Sequence, residues 1–191
     1  MTRAAVFLDR DGTLIEDVGY LDAVDRVALY PWSVDAVRAL NRAELPVVVV
    51  TNQSGIARGY FSEALVAETH REIDRRMSAG RARVDAYYYC PHHPDGVAPE
   101  FRRSCACRKP APGLVEQAAR ELGLDPARSY VVGDKWTDVR LGRAVGARAL
   151  LVRTGTGRSE ELRASTDAAP DAVVDNLASA VSWVLDHLRC S

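Results

Sequence analysis

Residues 4–17 read AAVFLDRDGTLIED, an unbroken apolar run that ends on Asp9 and Asp11 and turns at Gly12 and Thr13. A strand apolar on both of its alternating faces is covered on both sides, as in a parallel sheet between two helical layers. The aspartates fall where strand becomes loop. Turn chemistry alone accounts for Asp and Gly at such a place, so what matters is whether other strands end in the same way.

Similar runs recur at 45–52 (LPVVVVTN), 84–90 (VDAYYYC), 129–134 (SYVVGD), 147–155 (ARALLVRTG) and 171–176 (DAVVDN). Helical periodicity fills the intervals at 33–43, 62–79, 112–123, 137–147 and 177–188, with Ser62 and Thr137 at N-cap positions and Gly123 and Gly146 at helix ends. The alternation predicts an α/β fold, a three-layer α/β/α sandwich with a mostly parallel sheet, in one domain over residues 1–191. One long stretch fits neither pattern: CPHHPDGVAPEFRRSCACRKPAPG, residues 90–113. A loop of that length in a small domain is usually functional or held by something.

The 191 residues are 47% hydrophobic, enough for a real core, and 25 basic residues against 26 acidic leave a formal net charge of -1. No global field recruits nucleic acid or an anionic membrane, so any anion must be held locally. No apolar stretch has the length of a membrane span and the N-terminus lacks the layout of a signal peptide, so the expectation is a cytoplasmic protein with no membrane partner. Three of the four cysteines, Cys90, Cys105 and Cys107, crowd around His92, and Cys190 stands apart. That grouping suits a metal in a reducing compartment better than disulfides.

In open α/β sheets, ligands bind at the carboxyl ends of the strands. There the chain places Asp9 and Asp11, then Thr51, Asn52, Gln53 and Ser54, then Asp134 and Lys135. A carboxylate at Asp9 can attack phosphorus and form an aspartyl-phosphate. A carboxylate repels a phosphoryl group, so a hard divalent cation is needed between them, and Asp9 with Asp134 supplies charge suited to Mg²⁺. Asp11, two residues on, can protonate the leaving alkoxide and then deprotonate water. Thr51 offers a hydroxyl and Asn52 an amide to the phosphoryl oxygens. Either Lys109 or Lys135 can complete the clamp.

Asp9-Arg10-Asp11-Gly12-Thr13, Thr51-Asn52-Gln53-Ser54-Gly55, Arg108-Lys109-Pro110 and Gly133-Asp134-Lys135 resemble, in order, the four motifs of the haloacid dehalogenase superfamily of phosphohydrolases. Over residues 4 to 155 the spelling is similar to its heptose-bisphosphate and histidinol-phosphate phosphatase family. The resemblance implies a Rossmann-like core with a minimal cap, and an Mg²⁺-dependent phosphomonoesterase acting on a small phosphorylated sugar. A heptose 1,7-bisphosphate, cleaved at its 7-phosphate on the way to nucleotide-activated heptose, is the first substrate; histidinol phosphate is the alternative. It makes Asp9 the nucleophile, Asp11 the acid/base, and Asp9, Asp134 and the Asp11 carbonyl the Mg²⁺ ligands. Thr51 and Lys109 then contact the phosphoryl group. Asp17, Val18, Gly19, Tyr20 and Arg108 touch substrate, and Asn52, Gln53, Ser54 and Lys135 are expected around it. The chain is expected to act as a monomer.

Cys90, His92, Cys105 and Cys107 give three thiolates and an imidazole, the ligand set of a closed zinc site in a loop of about 90–109. Residues two apart in an extended segment project to one side and can share an ion, which favours His92 over His93. The resembling family binds zinc with these four positions. A zinc module for nucleic acid or protein is the non-enzymatic alternative, but no basic stripe with interleaved aromatics accompanies the loop. His70 and His187 read as solvated helix residues, the run 71–76 as a solvated face, and Asp138 as a first-turn helix charge.

Overall fold

The structure is a computed structural model that describes residues 2–163 and 168–190. Six strands, β1 (Val6–Leu8), β2 (Val47–Asn52), β3 (Ala86–Cys90), β4 (Tyr130–Gly133), β5 (Arg148–Val152) and β6 (Ala172–Val174), form one sheet in the order β3-β2-β1-β4-β5-β6. Every neighbouring pair is parallel. The chain winds outward from β1 in one direction through β2 and β3, and in the other through β4, β5 and β6. The reversal falls between β1 and β4, where the loops diverge and leave a crevice.

Alternating strand residues face the two helical layers, which is why these runs are apolar throughout. Val6 and Leu8, with Val47, Val49, Tyr130, Val132, Leu150 and Val152, pack against α1 (Ser33–Arg42), α2 (Glu63–Ala79) and α6 (Leu177–Arg189). Ala5, Phe7, Val48, Val50 and Val131 face α3 (Gly113–Leu122) and α4 (Trp136–Ala144). Val6, Phe7 and Leu8 are fully buried, and each such side chain contributes about 1.5–3 kcal/mol relative to exposure. The strand that carries Asp9 is thereby fixed from both sides.

Ser62 caps α2, its hydroxyl accepting from Leu65 N–H at 3.3 Å, and Gly123 ends α3 in the left-handed region at φ 65°. Thr137 is not a cap: α4 begins at Trp136 and Lys135 precedes it in extended conformation. The predicted strand 147–155 stops at Val152, and α5 (Gly157–Arg163) follows. That helix escapes periodicity because it buries only Gly157. Between β1 and α1 the described chain holds one short 3₁₀ turn, Val24–Arg26, so no inserted domain covers the crevice on that side. No helix among the described residues is long and apolar enough to cross a membrane.

Candidate active site

Asp9 follows β1 directly, its N–H donating to Val132 O of β4 at 2.9 Å. Its Oδ1 receives Arg10 N–H at 2.7 Å and pairs with Lys109 Nζ at 2.9 Å. Lys109, 4% exposed, also pairs with Asp138 Oδ1 at 2.6 Å and donates to Val50 O at 2.9 Å. Two carboxylates and a carbonyl thus surround the ammonium. Burial alone would lower its pKa, but Asp138 and Asp9 outweigh it and hold Lys109 charged. Of the two candidate lysines, Lys109 is the buried one, paired with Asp9; Lys135 is more exposed, 3.3 Å from Asp17 Oδ2.

Asp138 does more than a first-turn charge. It is buried, accepts from Lys135 N–H through Oδ2 at 3.2 Å, and its pKa rises to about 6 through burial, partly countered by Lys109. Sequence reading missed this role because a first-turn aspartate looks the same whether it faces water or a buried lysine.

Asp134 ends β4 with no exposure at all. Its Oδ2 accepts from the Thr156 N–H at 2.8 Å and hydroxyl at 2.9 Å. Its Oδ1 is buried and receives no hydrogen bond from any described residue, with Lys135 Nζ 3.9 Å away. Two glycines make room for it. A Cβ at Gly12 would lie 2.4 Å from Asp134 Oδ2, and one at Gly155 2.3 Å from it; both residues have positive φ, 85° and 54°, which side chains rarely allow. Burial and the nearby Asp9 charge push Asp134 up to about 7. Carboxylate oxygens of Asp9, Asp134 and Asp138 lie within 4.8 Å of one another. Asp138 is already matched by Lys109, so the unpartnered oxygen of Asp134 beside Asp9 fits a hard divalent cation.

Two spaces that share part of their lining lie beside these groups. A small cavity of about 50 Å³ is lined by Asp9, Asp11, Thr51, Asn52, Lys109, Lys135 and Thr137. A larger one of about 410 Å³ has Asp17, Gly19, Tyr20, Gln53, Ser54 and Arg108 on its walls. Asp11, Asn52, Lys135 and Thr137 line both. Tyr20 stands at the mouth with the Tyr60 ring 4.5 Å away, edge-on. Val18 lines neither cavity and is 36% exposed; it sits inside a turn that Asp17 Oδ1 closes by accepting Gly19 N–H at 2.9 Å.

Asn52 and Gln53, which line the larger cavity, also hold the site together. Asn52 Oδ1 accepts Lys109 N–H at 3.0 Å while its Nδ2 donates to Lys109 O at 3.1 Å, gripping the backbone of that lysine. Gln53 donates to Asp11 Oδ2 at 2.9 Å and to Thr51 Oγ1 at 2.8 Å.

The loop of 90–109 brings Cys90, His92, Cys105 and Cys107 together. Sulfur separations are 3.5 Å for Cys90–Cys105 and 3.2 Å for Cys105–Cys107, and His92 Nδ1 lies 3.3 Å from Cys107 and 3.8 Å from Cys90. Four ligands around tetrahedral zinc are roughly 3.5–3.8 Å apart, so the set fits that ion. His93 is turned away, accepting Asp95 N–H at 3.1 Å. Arg103 Nη2 lies 2.6 Å from His92 Nε2; a metal on Nδ1 puts the imidazole proton on Nε2, so Arg103 must then give up this contact.

His70 is not solvated. It is 8% exposed and stacks on Tyr87 with centroids 4.3 Å apart. Its neighbour Arg10 is 2% exposed, a buried arginine between two aspartates that strand periodicity had no way to flag. His187 stacks on Trp183 at 5.2 Å and is half-buried.

A sheet whose strand order reverses beside a strand-end aspartate, with a lysine from the loop after β3 and a second carboxylate from the end of β4, defines a haloacid dehalogenase-like hydrolase. Residues 106–180 match a hydrolase-like family model of that description. The chain is 43% identical to D-glycero-beta-D-manno-heptose-1,7-bisphosphate 7-phosphatase of Yersinia pestis over 91% of each chain, and 43% identical to that of Escherichia coli K12 over 90% of each. Among solved structures it resembles D,D-heptose 1,7-bisphosphate phosphatase from B. bronchiseptica, complexed with magnesium and phosphate, with TM-score 0.86 and 33% identity over 96% of this chain and 99% of that one. The chain belongs to this family of heptose-bisphosphate phosphatases, phosphoric monoester hydrolases with the haloacid dehalogenase-like fold.

Proposed function

We propose that the protein removes the 7-phosphate of D-glycero-β-D-manno-heptose 1,7-bisphosphate, with residues 1–191 acting as one monomeric phosphatase domain. The observation that carries this reading is the position of Asp11 on the wall shared by the two cavities. The small space suits a phosphoryl group beside Asp9, Thr51 and Lys109, and the large one suits the sugar. The ester oxygen that must be protonated then lies where they meet.

Asp9 attacks phosphorus, the bond from phosphorus to the sugar oxygen breaks, and its electron pair takes the proton of Asp11. This leaves a phosphoryl group on Asp9. Asp11, now ionised, takes a proton from water, which attacks the same phosphorus and restores Asp9. Thr51 and Lys109 stabilise the transferring oxygens. Mg²⁺ held by Asp9, Asp134 and the Asp11 carbonyl would supply charge neutralisation and in-line alignment. Zinc on Cys90, His92, Cys105 and Cys107 would be structural, holding the loop that ends in Arg108 and Lys109.

Arg108 and Lys135 on the walls of the larger cavity favour a second anionic group on the substrate over the imidazole of histidinol phosphate. Comparing kcat/KM for heptose bisphosphate and histidinol phosphate, by phosphate release with Mg²⁺, tests the proposal. The sugar should win by at least about 100-fold, and a preference for histidinol phosphate would overturn it.

A further inference from the structure

We propose that Arg10, Gln53 and His70 form a buried positioning unit that fixes the carboxylate of Asp11 at the boundary of the two cavities. The inference rests on the reading of Asp11 as proton donor and acceptor. Arg10 Nε lies 3.2 Å from Asp11 Oδ2 and Arg10 Nη2 3.1 Å from Asp11 Oδ1. This two-point grip fixes the plane of the carboxylate as well as its distance. Gln53 completes the frame, its Nε2 donating to Asp11 Oδ2 at 2.9 Å and its Oε1 accepting from Arg10 Nη2 at 2.9 Å.

The outer nitrogen of Arg10 faces a ring, not water. Arg10 Nη1 lies 3.4 Å from His70 Nε2, and a guanidinium only donates, so Nε2 is the acceptor and the ring proton sits on Nδ1. His70 is neutral here, and burial together with the Arg10 charge lowers its pKa to about 3. The ring is held in turn by Tyr87, whose hydroxyl donates to Asp74 Oδ1 at 2.7 Å. A chain of contacts thus runs from α2 and β3 to the carboxylate. Neither Arg10 nor His70 lines either cavity, so their part is orientation.

A displaced acid hurts substrates in proportion to their need for a proton. The value of kcat/KM covers steps only through departure of the first product, so p-nitrophenyl phosphate, whose leaving group needs no proton, isolates the effect. His70→Leu should lower kcat/KM for heptose bisphosphate about 10-fold or more relative to p-nitrophenyl phosphate. It should also give a burst of p-nitrophenol followed by slow turnover, because the base for the second step is displaced too. His70→Gln restores an acceptor near Nε2 and should recover most of the loss. Arg10→Lys keeps the charge but loses the two-point grip, and should show the same selective loss without disturbing the packing of α2. Equal losses on both substrates in both His70→Leu and Arg10→Lys, or none, would overturn the proposal. Asp11→Asn is the reference: if it shows the selective pattern and the other variants do not, the positioning unit fails while the reading of Asp11 stands. If Asp11→Asn itself lowers both substrates equally, that reading fails and the proposal falls with it.

Discussion

Lys109 Nζ lies 2.9 Å from Asp9 Oδ1, so the cation that closes the cysteine-rich loop is paired directly with the carboxylate that ends β1. The lysine is nearly inaccessible and balances Asp138 as well. Removing one partner from a buried ion pair leaves the others uncompensated, at a cost of about 3–5 kcal/mol. Lys109→Met should lose stability on that scale in urea unfolding, besides losing turnover. A loss below about 1 kcal/mol would contradict the pairing.

Asp9→Asn keeps the shape of the side chain but cannot attack phosphorus. Turnover should fall to background while circular dichroism is unchanged. Activity within about tenfold of wild type would contradict the nucleophile assignment.

Phosphate release should require Mg²⁺ and be suppressed by Ca²⁺, which accepts more oxygens in a looser geometry and misaligns in-line attack. Asp134→Asn should raise the Mg²⁺ concentration needed for half-maximal activity at least about 10-fold. Full activity in calcium alone would contradict a magnesium-aligned site.

The 90–109 loop is held at two places, by the cluster of Cys90, His92, Cys105 and Cys107 and by the paired Asn52 bonds to the Lys109 backbone. Structural zinc contributes on the order of 10 kcal/mol of apparent binding free energy in peptides. Cys107→Ser should therefore free Arg108 and lower metal content from about one zinc per chain, raising KM more than it lowers kcat, since Asn52 still grips Lys109. Zinc-free protein with unchanged kinetics would make the loop irrelevant to catalysis.

His70, buried against Tyr87 and Tyr89 and facing Arg10, has its pKa lowered to about 3 from an ordinary 6.5. Between those values the unfolded chain binds a proton that the folded chain refuses. Its contribution to stability is complete above pH 6.5 and is lost as pH falls toward 3. His70→Gln should flatten that slope, so the gap in urea midpoint between variant and wild type should shift in the variant's favour from pH 7.5 to pH 4.5. A gap independent of pH would contradict a neutral buried ring.

The sheet, its parallel sense and the convergence of three strand ends were legible because each rests on local signals: apolar runs, caps and acidic strand ends. The cysteine cluster was legible for the same reason, three thiols and a histidine at close spacing. What escaped depends on contacts between distant segments. Arg10 meets His70 across sixty positions, and Asp138 finds Lys109 only after the loop folds back. Asn52 and Gln53 line the cavity where strand-end polarity placed them, but their bonds to Lys109, Asp11 and Thr51 could not be read from spacing. The helix α5 was missed because it has no apolar stripe to read.

The most direct test is ³¹P NMR of heptose 1,7-bisphosphate incubated with the enzyme and Mg²⁺. The resonance of the C7 phosphate should disappear as inorganic phosphate grows, with the C1 phosphate retained in the product. Loss of the C1 phosphate, or of neither, would contradict the proposed function.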